Sequence, residues 1–271
     1  MDRVLQMLIS VFGIPFKPLN TLPSTFGLYL ISVVMGMVLL KLFGLFSNQG
    51  KIREVKDQIK AHLLAIVIYK DDFRIGLKSQ WLMLLENFRY LRYTLFPLTL
   101  SIMISIPILG QLNSRYGYQP FDVGDEIQLT VLAGKKTVLN RISIKPIPGI
   151  EIISPPMRIK DLHEVSWKLR ARQPGTHSLK ITVGNKDYRK AIVVGNNERL
   201  LAPYRLKSFF KTIIYPGETI LPNNSELEAI QIDYAGLKMN FLVFKTHWLI
   251  PFCIVSILSG LLFKQFLRIE L

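Results

Sequence analysis

The sequence predicts an α+β integral membrane protein. It would have three transmembrane helices, an antiparallel helical hairpin on one side of the bilayer and a β-sandwich on the other. Three observations carry this reading. Uncharged apolar runs long enough to cross a bilayer, which takes about 20 residues, occur between Lys17 and Lys41, Arg92 and Arg115, and Lys245 and Lys264. Between the first two, apolar residues recur at heptad spacing. Between the last two the period changes to two, with Gly, Pro and Asn at the breaks.

The chain has 271 residues and a formal net charge of +15, yet its mean hydropathy is positive, at +0.29. Both hold because apolar and charged residues are segregated along the chain. In a membrane protein such a charge points to anionic lipid headgroups and to the excess of basic residues on the cytoplasmic side. It does not call for a specific nucleic-acid sequence. Cys253 is the single cysteine and lies in an apolar run, so no disulfide forms within the chain and no Cys/His metal spacing exists.

Residues 1–17, MDRVLQMLISVFGIPFK, are too short to cross and lack a small-residue cleavage site, so they predict an amphipathic helix on the membrane surface. Residues 22–46 form the first span, with FGLYLISVVMGMVLL at its centre. Residues 51–92 form the hairpin. Ile52, Val55, Ile59 and Ile66 take heptad positions, with His62 at the missing step. After the turn YKDD, Leu77, Trp81, Leu84, Phe88, Leu91 and Leu95 are spaced four, three, four, three, four, the pattern of a coiled-coil seam. No proline falls between 73 and 96, so the second arm is expected to run directly into the second span, 93–114.

Residues 120–195 predict a sandwich of short strands, beginning with EIQLTVL at 126–132. WKLRARQPGTHSLKITVG reads as a hairpin with a Pro-Gly turn and resembles, in architecture, the later strands of bacterial immunoglobulin-like domains, so the expected sandwich is immunoglobulin-like. Residues 196–245 form a membrane-proximal segment with room for a short helix in LLAPYRLKSFFKTIIYPGETILP and for strands at 229–235 and 240–244. Residues 246–264 form the third span, with Trp248 suited to the interface. Lys41, Lys51, Arg53, Arg89, Arg92, Lys264 and Arg268 gather on the hairpin side, against Arg3, Lys17, Arg115 and Lys245 on the other. The positive-inside rule therefore places the hairpin and C-terminus in the cytoplasm, and the N-terminus and β domain outside. The expected location is a bacterial inner membrane.

Nothing in the chain predicts catalysis, a cofactor or a metal centre. There is no GxSxG, no Gly-rich phosphate loop and no HExxH. His163 and His177 could approach each other if their strands pair, but two histidines without a third ligand are weak evidence for zinc. The pairs Asp71–Asp72 and Asp125–Glu126 fall in a turn and at a strand start. More informative are small and weakly polar residues in the spans. Ser32 and Gly36, and Ser256 and Gly260, form small-xxx-small pairs that permit close helix packing. Ser101 and Ser105 share one face of the second span. They could pack against neighbouring helices or line a groove, with Lys41, Arg89 and Arg92 at its cytoplasmic mouth. Pro97 and Pro107 would shape the second span by removing helix hydrogen bonds.

The order of first span, hairpin and second span entered directly from it resembles the YidC/Oxa insertase superfamily. The similarity is greatest to its compact three-span branch, the archaeal YidC-like proteins and the insertase subunit of the endoplasmic-reticulum membrane complex. The residues that carry it are the hairpin 51–92 and LRYTLFPLTLSIMISIPILGQL, 91–112, with Pro97 near the start of the span and Ile-Pro about ten residues on. It covers roughly residues 24–112. The chain departs in lacking an arginine at the centre of any span, and in carrying the β domain between the second and third spans. The resemblance implies a factor for membrane-protein insertion or assembly with a shallow cytoplasm-facing groove, meeting nascent membrane proteins or the ribosome. The alternative is a non-enzymatic structural subunit of a larger envelope complex that docks partners through its β-sandwich.

Overall fold

The computed structural model describes residues 24–135, 137–195, 200–241, 243–267 and 269. The interfacial helix expected at 1–17, together with Arg3, Lys17 and Arg268, lies outside the described residues. Three helices are long and apolar enough to cross a bilayer: α1 (Ser24–Phe46), α3 (Phe73–Tyr116) and α5 (Leu249–Leu267). Together with the antiparallel sheets below, they make this an α+β integral membrane protein. Contacts within the chain divide it into two units. Among the described residues, one holds residues 29–105 and 251–269, the other residues 24–28 and 106–250.

In the first unit, α2 (Gln49–Ile68) follows α1 after a short break. Asn48 caps it, its side-chain oxygen accepting from the Lys51 N–H at 3.1 Å. Asp72 does the same for α3, accepting from the N–H groups of Arg74 at 2.9 Å and Ile75 at 3.2 Å. The YKDD turn is thus a helix stop followed by a helix start. The two helices run antiparallel. Gln58, with its amide turned to donate, reaches Glu86 at 2.9 Å, while Lys51 Nζ lies 5.5 Å from the centre of the Tyr93 ring.

The seam between them differs from the expected one. On α2, Ile52 and Val55 are buried, and Ile59, His62 and Ile66 are half-buried. On α3 the face turned inward carries Ser79, Glu86, Tyr90 and Pro97, while the heptad series Leu77, Trp81, Leu84, Phe88, Leu91 and Leu95 is exposed. Those two faces are offset by two residues, about 200° around a helix. The face that meets α2 is the one whose Glu86 and Tyr93 find polar and cationic partners there. The long helix passes through both Pro97 and Pro107 without ending.

In the second unit, β1 (Glu126–Ala133), β3 (Ile150–Ile152), β4 (Met157–Ile159), β5 (Glu164–Ala171), β8 (Tyr204–Leu206) and β9 (Leu227–Ile232) form a six-stranded sheet. Its order is β3-β5-β1-β9-β8, with β4 also on β5. β2 (Ile142–Ile144), β6 (Gly175–Val183) and β7 (Lys186–Val194) form a second sheet in the order β2-β6-β7. All pairings between these strands are antiparallel. Alternate residues from both sheets make one core: Ile127, Leu129 and Val131 on β1, Trp167 and Leu169 on β5, Leu179 and Ile181 on β6, Ile192 and Val194 on β7, and Ile230 and Ile232 on β9. This is period-two patterning buried on one face.

Two features differ from the sequence reading. The Pro-Gly turn does not join a hairpin. β5 pairs with β1 and β6 with β7, so the turn carries the chain from one sheet to the other. A tight reversal serves either purpose, and local sequence does not choose. Second, β8 and β9 extend the sheet well past Gly195. The segment before them is fastened to the end of α3. Leu201 donates to the Ser114 carbonyl at 2.8 Å, and Ser114 Oγ donates to the Pro216 carbonyl at 2.7 Å. The short helix α4 (Phe209–Ile214) passes so close to Gly110 that a Cβ there would lie 2.5 Å from the Ile213 carbonyl oxygen. A final hairpin, β10 (Lys238–Phe241) and β11 (Phe244–His247), leads into α5.

Tyr234 closes the core beside β7. Its ring stacks on Phe121 at 4.7 Å, and its hydroxyl oxygen accepts from the Val193 N–H at 3.1 Å. Burial pushes its hydroxyl from 10.0 up to about 12. A raised folded-state value means full stabilisation below pH 10 and loss as pH rises through about 12. Relative to Tyr234→Phe, the native protein should lose about 2–3 kcal/mol across that window. Thermal melts at stepped alkaline pH would reveal this. Parallel pH profiles for the two proteins would contradict it.

Candidate functional site

Helices α1 and α5 touch through their small residues. A Cβ on Gly36 would fall 2.2 Å from the Ser256 carbonyl oxygen, and one on Gly260 would fall 3.6 Å from the Gly36 carbonyl oxygen. Ser259 Oγ donates to the Val33 carbonyl at 2.9 Å, crossing between the helices. Ser32 and Ser256 are buried. In lipid, where apolar surface gains little from meeting apolar surface, such close backbone approach is what holds helices together.

Beside this contact, α3 leaves a cavity of about 370 Å³ bounded by all three helices. Gly36, Leu40 and Phe43 come from α1, Tyr90, Thr94, Leu98 and Ser101 from α3, and Ser256 and Gly260 from α5. The lining residues of α1 belong to its last turns before α2, so the cavity lies in the hairpin-side half of the spans. Along α3 it extends from Tyr90 to Ile102, about 18 Å at 1.5 Å per residue. Its walls are apolar apart from the hydroxyls of Tyr90, Thr94, Ser101 and Ser256, and the last three donate their protons to their own helices. Ser101 Oγ donates to the Pro97 carbonyl at 2.8 Å, Thr94 Oγ1 to the Tyr90 carbonyl, and Ser256 Oγ to the Cys253 carbonyl at 3.1 Å. What Thr94, Ser101 and Ser256 still offer a visiting group is lone pairs, so they present acceptors.

The expected site residues do not all meet. Ser101 lines the cavity. Ser105 is buried, donating to the Ile102 carbonyl at 2.6 Å, and does not line it. Arg89 and Arg92 flank Tyr90 on exposed faces of α3, and Arg89 Nη1 pairs with Glu86 Oε1 at 2.6 Å. Lys41 lines a separate depression with Val38, Gly44, Gln49 and Ile269. Pro97 is buried, its carbonyl held by Ser101, and Pro107 is half-buried. Tyr90, Thr94 and Ser259 were not singled out by sequence. Thr94 and Ser101 stand seven apart, and Ser256, Ser259 and Gly260 share one helical stripe. Those spacings were the available signals.

Elsewhere polar groups are structural. His163 Nδ1 lies 2.9 Å from the Lys160 carbonyl oxygen and His177 Nε2 lies 2.9 Å from that of Gln173, so each ring is engaged by its own loop. Among the described residues, no group of three or more His, Cys, Asp or Glu side chains is placed to hold a metal. Lys190 on β7 is fully buried and pairs with Glu218 at 2.8 Å, and its ammonium also donates to the Ala202 carbonyl. Burial pulls its pKa below the ordinary 10.5, against the opposing pull of Glu218.

No family model, curated protein or solved structure matches the chain. The cavity and its residues are therefore the ground for a functional reading.

Proposed function

We propose that the chain is an insertase-like factor for the insertion or assembly of membrane proteins, working through the cavity among its three spans. The observation that carries this is the placing of Ser101, Thr94 and Ser256 in one apolar cavity that begins at Tyr90, between Arg89 and Arg92. In this reading the basic hairpin side is cytoplasmic. A polar stretch of an incoming client would enter there and find hydroxyl acceptors within the hydrocarbon. Each such contact would lower the cost of bringing unsatisfied donors into lipid. The outer two-sheet domain, immunoglobulin-like in this proposal, would hold or recognise the emerging part of the client. The chemistry is sheltering and release, with no bond made or broken.

The test is site-specific photocrosslinking during synthesis of a membrane protein. A photoreactive side chain at Leu98 or Ser101, inside the cavity, should capture ribosome-bound nascent chains. The same group at Leu262, an exposed position on α5, should capture mainly lipid. Failure to capture a translating client at either cavity position would end the proposal. Capture of one stable, completed protein instead would favour a structural subunit of an envelope complex.

A further inference from the structure

We propose that two copies of this chain pair through α3, forming a parallel coiled coil along residues 77–95. The starting observation is the exposed stripe Leu77, Trp81, Leu84, Phe88, Leu91 and Leu95, with exposures from 45% to 63%. Large apolar groups exposed together in this way mark an interaction surface.

Helix α2 does not cover the stripe, because it packs on the opposite face through Gln58 and Lys51. Lipid does not reach Leu77, Trp81 and Leu84 either. Helix α3 is unbroken from Phe73 through the span. Leu77 therefore lies about 22 Å along the helix from Arg92, which in the proposed reading stands at the membrane surface. The spacing of four, three, four, three, four fits another helix. A mean step of 3.5 residues drifts about 20° per heptad on a straight helix and stays aligned only with a partner that supercoils around it.

The flanking residues choose the partner. With Trp81, Phe88 and Leu95 at a, and Leu77, Leu84 and Leu91 at d, the e positions are Lys78, Leu85 and Arg92 and the g positions are Gln80, Asn87 and Thr94. In a parallel pair, g of one helix meets the following e of the other. This sets Gln80 against Leu85 and Asn87 against Arg92, with no like charges opposed. An antiparallel pair would set Lys78 against Arg92, e to e. Two copies inserted in one bilayer share an orientation, so their α3 helices are parallel and bring identical residues to the same height. That is the geometry of a twofold interface.

The experiment uses the full chain in membranes with Cys253 replaced by serine. Oxidation of Leu84→Cys and of Leu91→Cys variants should give a disulfide-linked product of twice the chain mass. Lys60→Cys, an exposed position on α2, should not. Adding Trp81→Asp and Phe88→Asp, both at exposed positions, should cut the Leu84→Cys product by about tenfold or more. The proposal is overturned if neither stripe position links to itself, if Lys60→Cys links equally well, if the aspartates change nothing, or if the linked product contains a different protein.

Discussion

Glu218→Ala should destabilise the β unit by about 3–5 kcal/mol, the cost of stranding a buried charge. Lys190 has no exposed surface, and its ammonium is held by one Glu218 oxygen and the Ala202 carbonyl. The other Glu218 oxygen accepts from the Ala191 N–H at 2.6 Å. Removing the carboxylate leaves a buried cation with a single carbonyl partner, and orphans a backbone donor as well. The double variant Lys190→Met with Glu218→Leu should be far milder, since both charges go together and the volume is largely kept. Denaturant titration of the full protein in detergent would compare the three. A single variant no worse than the double would show that the pair is dispensable. The sign with pH follows from burial. Lys190 titrates below 10.5 in the folded protein, so between that lowered value and 10.5 the unfolded chain binds more protons. Stability therefore rises with pH across this window, and the rise should vanish in Lys190→Met.

Gly36→Leu should break the contact between α1 and α5. The first added carbon would meet the Ser256 carbonyl oxygen at 2.2 Å and Ser259 Cβ at 3.0 Å. A backbone carbonyl cannot rotate away as a side-chain end can, so the helices must separate and the hydrogen bond from Ser259 to Val33 must lengthen. Overpacking a well-filled site costs about 1–3 kcal/mol. Here loss of the close backbone approach adds to it. Gly76→Ala supplies the contrast. A Cβ there meets nothing within 4 Å, and a helical Gly→Ala change should stabilise by about 0.5–1 kcal/mol. Thermal unfolding in mild detergent would rank the proteins Gly76→Ala, native, Gly36→Leu. A Gly36→Leu protein as stable as the native one would refute the packing argument.

The sequence announces some of this directly. Uncharged runs give the three membrane-length helices, because lipid tolerates little else. Alternation in EIQLTVL gives β1, since one face of that strand is buried and the other is not. Other features depend on contacts between distant residues. Periodicity shows that α3 has an apolar stripe, but it does not say that α2 lies against the opposite face. A Pro-Gly turn does not say whether its two strands pair or belong to different sheets. The cavity needs Gly36, Ser101 and Gly260, brought together from three helices, and no local pattern joins them. Lys190 is an intermediate case. Tyr188, Lys190 and Ile192 alternate inward on β7, a period-two signal that was present in the sequence although the lysine was not singled out. Its partner, 28 residues on, carried no such signal.

The place of β9 bears on the timing of synthesis. It lies between β1 and β8, so β1 keeps one edge unpaired from its own synthesis until residues 227–232 are made. At ordinary rates of translation that interval is about 5–20 s. An open strand edge of that duration invites pairing with other chains. Because α5 begins at Leu249, the sheet can close only shortly before that helix is made.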